Sequence, residues 1–273
     1  MTAINLVLHT AALSEGAIAF VEKGRGKTII FLHGIGSAAR SWQFVLDLLP
    51  ADRRALAWNA PGYLPSDALV MDWPSASDYA ERLGAFLDHR ASEPVHLVGH
   101  SLGCLIAARF ARLSPHRVKT LTLASCALGH ARLQEEERNR LLASRIHDIE
   151  HLGPRGMAQK RGLRLLSNQN DPQLVETVIE TMAAVDPRGY LQASRMLSTG
   201  DLIGDIEQLP SDLPVQFIYG SADVITPPEA NLRAAKARPG ATVKVLEAAG
   251  HACYIEQPNA FLSAIEELVS KHV

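Results

Sequence analysis

Short runs rich in Val, Ile and Leu alternate along this chain with longer segments whose apolar residues recur every three or four positions. The short runs read as strands: INLVLH (4–9), AIAFVE (17–22), KTIIFLHG (27–34), RALAWNAPG (54–62), PVHLVGH (94–100), VKTLTLAS (118–125), VQFIYG (215–220) and TVKVLEAAG (242–250). The later ones are almost continuously apolar, as expected of strands covered on both faces. Helical periodicity falls between them, over Ser41–Leu49, Ser77–His89, Leu102–Ser114, Glu229–Ala237 and Asn259–His272. Such alternation predicts a mostly parallel sheet flanked by helices. The first two strands have no helix between them, so the sheet is expected to start antiparallel.

One stretch departs from the alternation. Residues 127–209 contain no convincing strand, and they are rich in Arg, Glu, Gln and Leu, as in RLQEEERNRLLASRIHDIEHL and DPQLVETVIETMAAV. Pro154, Pro172 and Pro187 stand where helices would start. The segment reads as a helical insertion, with 1–126 and 210–273 forming the core around it.

Composition narrows the class. With 47% hydrophobic residues, 21% charged residues and 273 positions, the chain can bury a large core without disulfides or metals. A formal net charge of −2 lacks the basic footprint of a nucleic-acid binder. No apolar run approaches a membrane span, and the N-terminus lacks the pattern of a signal peptide. Cys104, Cys126 and Cys253 cannot all pair and form no close-spaced metal motif. These features lead us to expect a reduced cytoplasmic protein that binds no nucleic acid and no membrane; a homodimer is left open.

The candidate chemistry begins at LVGHSLGC (97–104). A strand meets a helix at Ser101 with no intervening loop, and Gly99 and Gly103 bracket the serine two positions away on each side. This G-x-S-x-G arrangement is a nucleophile elbow, in which the glycines make room for a strained, exposed hydroxyl. The motif alone is short enough to recur by chance; its place between a buried strand and an apolar helix gives it weight. The helix that follows directs free N–H groups and its positive end toward an anion.

A serine needs a base, and the base needs a carboxylate to orient it. In this arrangement the acid and then the histidine follow the serine along the chain. Asp223, in GSADVITPP, and His251, in AAGHACYIEQP, both lie on loops after late strands. Asp201, Asp205 and Asp212 precede the strand and fit less well. HGIG (33–36) ends an earlier strand at the same edge, so the N–H groups of Ile35 and Leu102 are candidates for an oxyanion hole. His33, Gly34, Ser37 and His100 are candidates for the substrate pocket, with His33 also bracing the loop and His100 packing beside the elbow.

HGIG, GHSLG (99–103), GSAD (220–223) and GHACYIEQP (250–258) together resemble the α/β-hydrolase superfamily over essentially the whole chain. The resemblance implies the α/β-hydrolase fold, an eight-stranded, mostly parallel sheet with a helical cap (127–209) inserted after the sixth strand. It is greatest to the cluster of small carboxylesterases, enol-lactonases and meta-cleavage-product C–C hydrolases. VDPRGYLQASRMLSTGDL (185–202) is similar to the lid of 3-oxoadipate enol-lactonases. Three departures stand out. Ala252 and Cys253 follow the histidine where C–C hydrolases usually carry Trp, and HGIGSAARS is less glycine-rich than their oxyanion loop. NAPGYLPS (59–66) places Asn59 and Leu64 where the family usually has Asp and Gly. A serine nucleophile also argues against the dehalogenases and epoxide hydrolases of this fold, which use Asp.

These readings converge on a serine hydrolase acting on a small carboxylic ester or lactone, with no metal or organic cofactor required. The alternatives are C–C bond or enol-lactone hydrolysis of an aromatic-degradation intermediate, and a non-catalytic ligand-binding protein of the same fold. Arginines of the insertion (Arg132, Arg138, Arg145, Arg155, Arg161, Arg164, Arg188 and Arg195) would suit an acidic substrate, though most are expected to face water. HDIEH (147–151) matches a zinc-protease pattern but has no third ligand in view. GRGKT (24–28) imitates a phosphate loop but lacks its first glycine and its helix.

Overall fold

The computed structural model describes residues 6–272. The chain opens with β1 (Leu8–Leu13), β2 (Gly16–Gly24) and β3 (Lys27–Leu32). It continues through a 3₁₀ turn, the single-turn helix α1 (Gln43–Leu46), β4 (Arg53–Trp58) and α2 (Ala76–Arg90). Next come β5 (Val95–His100), α3 (Leu102–Leu113) and β6 (Val118–Ala124). Helices α4 (Glu135–Gly162), α5 (Pro172–Ala183), α6 (Pro187–Thr199) and α7 (Leu202–Ile206) follow. The chain closes with β7 (Val215–Gly220), α8 (Pro228–Lys236), β8 (Thr242–Leu246), α9 (Cys253–Glu256) and α10 (Pro258–Lys271).

The strands form one eight-stranded sheet in the order β1-β2-β4-β3-β5-β6-β7-β8. β1 pairs antiparallel with β2 and β2 antiparallel with β4; every later pairing is parallel. Period-2 alternation splits the apolar residues between two cores. Ile30, Leu32, Leu97, Leu121, Leu123 and Phe217 pack toward α2 and α3, while Ile29, Phe31, Val98, Ala124 and Ile218 pack toward α1 and α10. Covering both faces explains why the parallel strands are so uniformly apolar.

Two elements differ from the sequence reading. The first strand runs over Leu8–Leu13 instead of 4–9, because the tight turn at Ser14–Glu15 sets its register and pairs Leu13 with Gly16. Ile4 and Asn5 lie outside the described residues. The helix expected over Ser41–Leu49 is a 3₁₀ turn at Ala39–Trp42 followed by one α-turn.

Between β6 and β7, residues 127–209 form no strand. Pro172 and Pro187 sit in the first turns of α5 and α6, whose N-caps Asp171 and Asp186 accept hydrogen bonds from the next backbone N–H groups. α4 breaks at Gly153, whose φ of 65° interrupts it, and Pro154 begins its second stretch. Lys160 and Arg161 of that stretch clamp the buried Asp148 of the first, at 2.6 and 2.7 Å. Among the described residues no helix is long and apolar enough to cross a membrane. The three cysteines are buried and unpaired.

Candidate active site

Ser101 joins β5 directly to α3 with φ 53° and ψ −115°, a region that a residue with a side chain seldom occupies. The bracketing glycines make this possible. A Cβ on Gly99 would come 2.5 Å from the Gly103 carbonyl oxygen, and one on Gly103 would collide with the Leu32 carbonyl of β3. The turn is pinned by Ser101 N–H donating to Ala124 O at 2.9 Å and by Cys104 N–H donating to Ser101 O at 3.0 Å.

Asp223 follows β7 and His251 follows β8, so three strand ends converge on one edge of the sheet. His251 Nδ1 lies 2.9 Å from Asp223 Oδ2. An ionised carboxylate only accepts, so Nδ1 carries the proton and Nε2 is left basic. Asp223 is held by more than the histidine. Its Oδ1 accepts from the N–H groups of Ile225 and Thr226 at 2.8 and 2.9 Å, and its Oδ2 accepts from the Thr226 hydroxyl at 2.7 Å. Burial would raise this carboxyl, but His251 and the Thr226 bonds outweigh it and hold it at about 2. The sequence reading missed Thr226, whose hydroxyl also lies 3.1 Å from His251 Nδ1. Its position three residues after the acid, in DVIT, is the local signal that could have found it.

Ser101 and His251 line the same cavity, of about 320 Å³. Among the described residues no hydrogen bond joins Ser101 Oγ to His251. Serine–base contacts are often long in an empty site and tighten around substrate. Ile35 and Leu102 line this cavity too. Neither backbone N–H has an acceptor among the described residues, which leaves both free to bind a ligand in the cavity.

Gly34, Ser37 and His100 also reach the cavity, whereas His33 does not. His33 lies behind the loop, with Nδ1 donating to Gly34 O at 2.8 Å and Nε2 accepting from Ala60 N–H at 3.0 Å. Burial lowers its imidazole to about 4, so it stays neutral and braces the loop that presents Ile35. His100 Nε2 donates to the His251 carbonyl at 2.8 Å and ties the elbow to the histidine loop. Burial, with His251 adding to it, lowers His100 to about 3. The Ser37 hydroxyl donates to Ser41 Oγ at 2.6 Å beside Tyr254. Asn59 accepts from Ala39 N–H and donates to Leu64 O, both at 2.8 Å. An ionised aspartate, which only accepts, could not make the second bond.

The zinc-like HDIEH lies on α4, where His147 and His151 stack at 4.2 Å. Among the described residues no three His, Cys, Asp or Glu side chains are grouped to hold a metal. The phosphate-loop imitation falls across the β2–β3 connection, and β3 follows it directly.

A largely parallel sheet bearing a strand–serine–helix elbow and a buried His–Asp pair at one edge defines the α/β-hydrolase architecture. The chain belongs to the alpha/beta hydrolase family, which it matches over residues 29–264. It is 28% identical over 255 residues to a dihydrolipoyllysine-residue acetyltransferase component of an acetoin cleaving system from Pseudomonas putida. That match covers 90% of this chain but only 64% of the relative's length. A 2-hydroxy-6-oxononadienedioate/2-hydroxy-6-oxononatrienedioate hydrolase of Pseudomonas putida is 25% identical over 281 residues, covering 94% of this chain and 90% of that one. A thermophilic esterase from Thermogutta terrifontis superposes with a TM-score of 0.86 at 22% identity, covering 98% of this chain and all of the other.

Proposed function

We propose that this protein is a serine hydrolase that cleaves a small carboxylic ester or lactone through an acyl-enzyme on Ser101. One juxtaposition carries the reading. A strained serine, a histidine oriented by an ionised aspartate, and two unpaired backbone donors all meet at one cavity. His251 Nε2 takes the Ser101 proton as Oγ attacks the carbonyl carbon. The resulting oxyanion accepts from the N–H groups of Ile35 and Leu102, a contribution typically of about 3–4 kcal/mol per donor. Collapse expels the alcohol, protonated by His251. Water, deprotonated by the same nitrogen, then releases the acid. Asp223 stays ionised and stabilises the imidazolium. In this reading 127–209 is the cap that closes over the core of 1–126 and 210–273 and sets specificity.

Labelling with a fluorophosphonate tests the nucleophile. An adduct on Ser101, absent in Ser101→Ala, is expected; an unlabelled, folded wild type sinks the proposal and leaves the ligand-binding alternative. Hydrolysis of a C–C bond or an enol-lactone is the second reading, favoured by the named Pseudomonas putida hydrolase, with which the chain aligns nearly end to end. Comparing p-nitrophenyl acetate, an enol-lactone and a vinylogous diketo acid separates the two, because Ser101-dependent turnover confined to the diketo acid would replace the ester reading.

A further inference from the structure

The charges around the cavity are one-sided. Its walls include Arg145, Arg161, Arg164 and Arg233 but no aspartate or glutamate. Arg161 is already paired, its Nε 2.7 Å from the buried Asp148 and its Nη2 3.2 Å from Ser144 Oγ. Arg164 and Arg233 are exposed, where water and salt screen them. Arg145 is different. It is half-buried, and among the described residues it meets no carboxylate within ion-pairing distance. Its side-chain hydrogen bond runs from Nη1 to the Tyr190 hydroxyl oxygen at 3.2 Å.

The neighbours of Arg145 extend the pattern. Tyr190 is buried and lines the cavity; its oxygen accepts from Arg145, and its own proton has no acceptor among the described residues. His130 also lines the cavity, and its Nδ1 is buried without a partner. Burial, with the nearby Arg145 cation adding to it, lowers His130 to about 4, so it is neutral at pH 7 and retains one N–H to donate. A cation without a counter-ion and a phenolic proton without an acceptor line the cavity reached by Ser101. A half-buried cation without a counter-ion is well matched to an anion that arrives with the substrate.

We propose that Arg145 and the Tyr190 hydroxyl anchor a carboxylate of the substrate, so that the preferred esters or lactones carry a free acid group a few bonds from the scissile carbonyl. The inference rests on the hydrolase reading of this cavity and narrows it to a substrate class. The planar guanidinium can hold the carboxylate in a fixed orientation, and its bond to Tyr190 fixes the guanidinium in turn.

The test compares mono-p-nitrophenyl esters of four-, five- and six-carbon diacids with esters of the matching uncharged acids. Wild type is expected to favour at least one acidic ester by about tenfold or more in kcat/KM, mainly through KM. Arg145→Met should lower that acidic-to-neutral ratio by about 10- to 100-fold, with Arg145→Lys recovering part of it and Tyr190→Phe losing several-fold. A wild-type ratio near one at every chain length, or a ratio unchanged by Arg145→Met, overturns the anchor. If Ser101-dependent turnover of every ester is absent, the hydrolase reading fails by itself. Calorimetric titration with glutarate then decides the anchor. Binding by wild type that weakens about tenfold or more in folded Arg145→Met supports it. Equal binding, or none by wild type, overturns it.

Discussion

The sheet edge around Ser101 and the helical segment 127–209 share one cavity but are held by different physics. On the sheet side, backbone geometry sets the site. The elbow allows no Cβ at Gly99 or Gly103, the candidate oxyanion donors are main-chain N–H groups, and the loop before them is braced by the buried His33. On the helical side, side chains do the holding. Asp148 is clamped by Lys160 and Arg161, Asp171 and Asp186 cap their helices, and Arg132 pairs with Asp201. The two sides are stitched together where Ala252 N–H donates to Leu165 O and Ser167 bonds to Glu256 and Ala248. The insertion therefore also steadies the loop that carries His251. A site built this way can keep one chemistry on the rigid side while the replaceable side chains opposite choose the substrate.

The contrast can be broken most sharply at Ser101. Ser101→Ala should lower kcat by at least about 10³-fold while the melting temperature holds, and Asp223→Asn should cost about 10⁴-fold. A smaller loss in Ser101→Ala, measured on the best ester, would move the chemistry elsewhere. Gly103→Val tests the backbone rule, since the added side chain must displace β3. It is expected to destabilise by about 4 kcal/mol or more or to prevent folding, read by urea denaturation.

Acid should weaken the sheet side more than the helical side, where His130 alone is lowered in the same way among the described residues. His33, His96 and His100 are buried and lowered to about 4, 4 and 3, below the ordinary value of 6.5, each chiefly by burial. As pH falls the unfolded chain takes up these protons before the folded one. Their contribution is complete above about pH 6.5 and is lost progressively down to about pH 4 for His33 and His96 and about pH 3 for His100, on the order of 3 kcal/mol or more per histidine. Denaturation midpoints between pH 7 and 4 should show this slope, flattened in His96→Asn; a flat wild-type profile would count against it.

Smaller effects belong to the helical segment. Asp148→Ala strands Lys160 and Arg161 and should cost about 1–3 kcal/mol, with hydrogen exchange quickening across α4 before it does in the sheet. Asp171→Ala removes one N-cap and should cost about 1 kcal/mol, visible as a small shift in melting temperature. Equal quickening of exchange in β5 and α4 would show that the two sides do not unfold separately.

Much of the sheet was legible because its signals are local. β7 was read to the residue, and β2 through β6 within a few positions, because buried strands leave apolar runs between turn residues. β1 slipped along the sequence because its register depends on a hairpin partner. The turn at Ala39–Leu46 was read as a longer helix because its apolar spacing imitates one. Around the site, Ser101 was marked by its glycine bracket, and Asp223 and His251 by their glycine- and proline-bounded loops. Thr226 and Tyr190 were not, since a single hydroxyl becomes informative only once its acceptor is known. Arg145 was one of several similar arginines until the structure placed it on the cavity wall, half-buried and without a carboxylate.

The sequence alone determined the elbow, because strain at a strand–helix junction demands glycine at fixed spacing and leaves a readable mark. It also determined the order of strands and helices, through periodicities that follow directly from backbone geometry. Only the tertiary structure decided which residues share the cavity: that His33 stands behind it while His100 lines it, and that Arg145 and Tyr190 face the same space as Ser101. These are relations between residues distant in the chain, and packing across the sheet and the helical insertion brings them together.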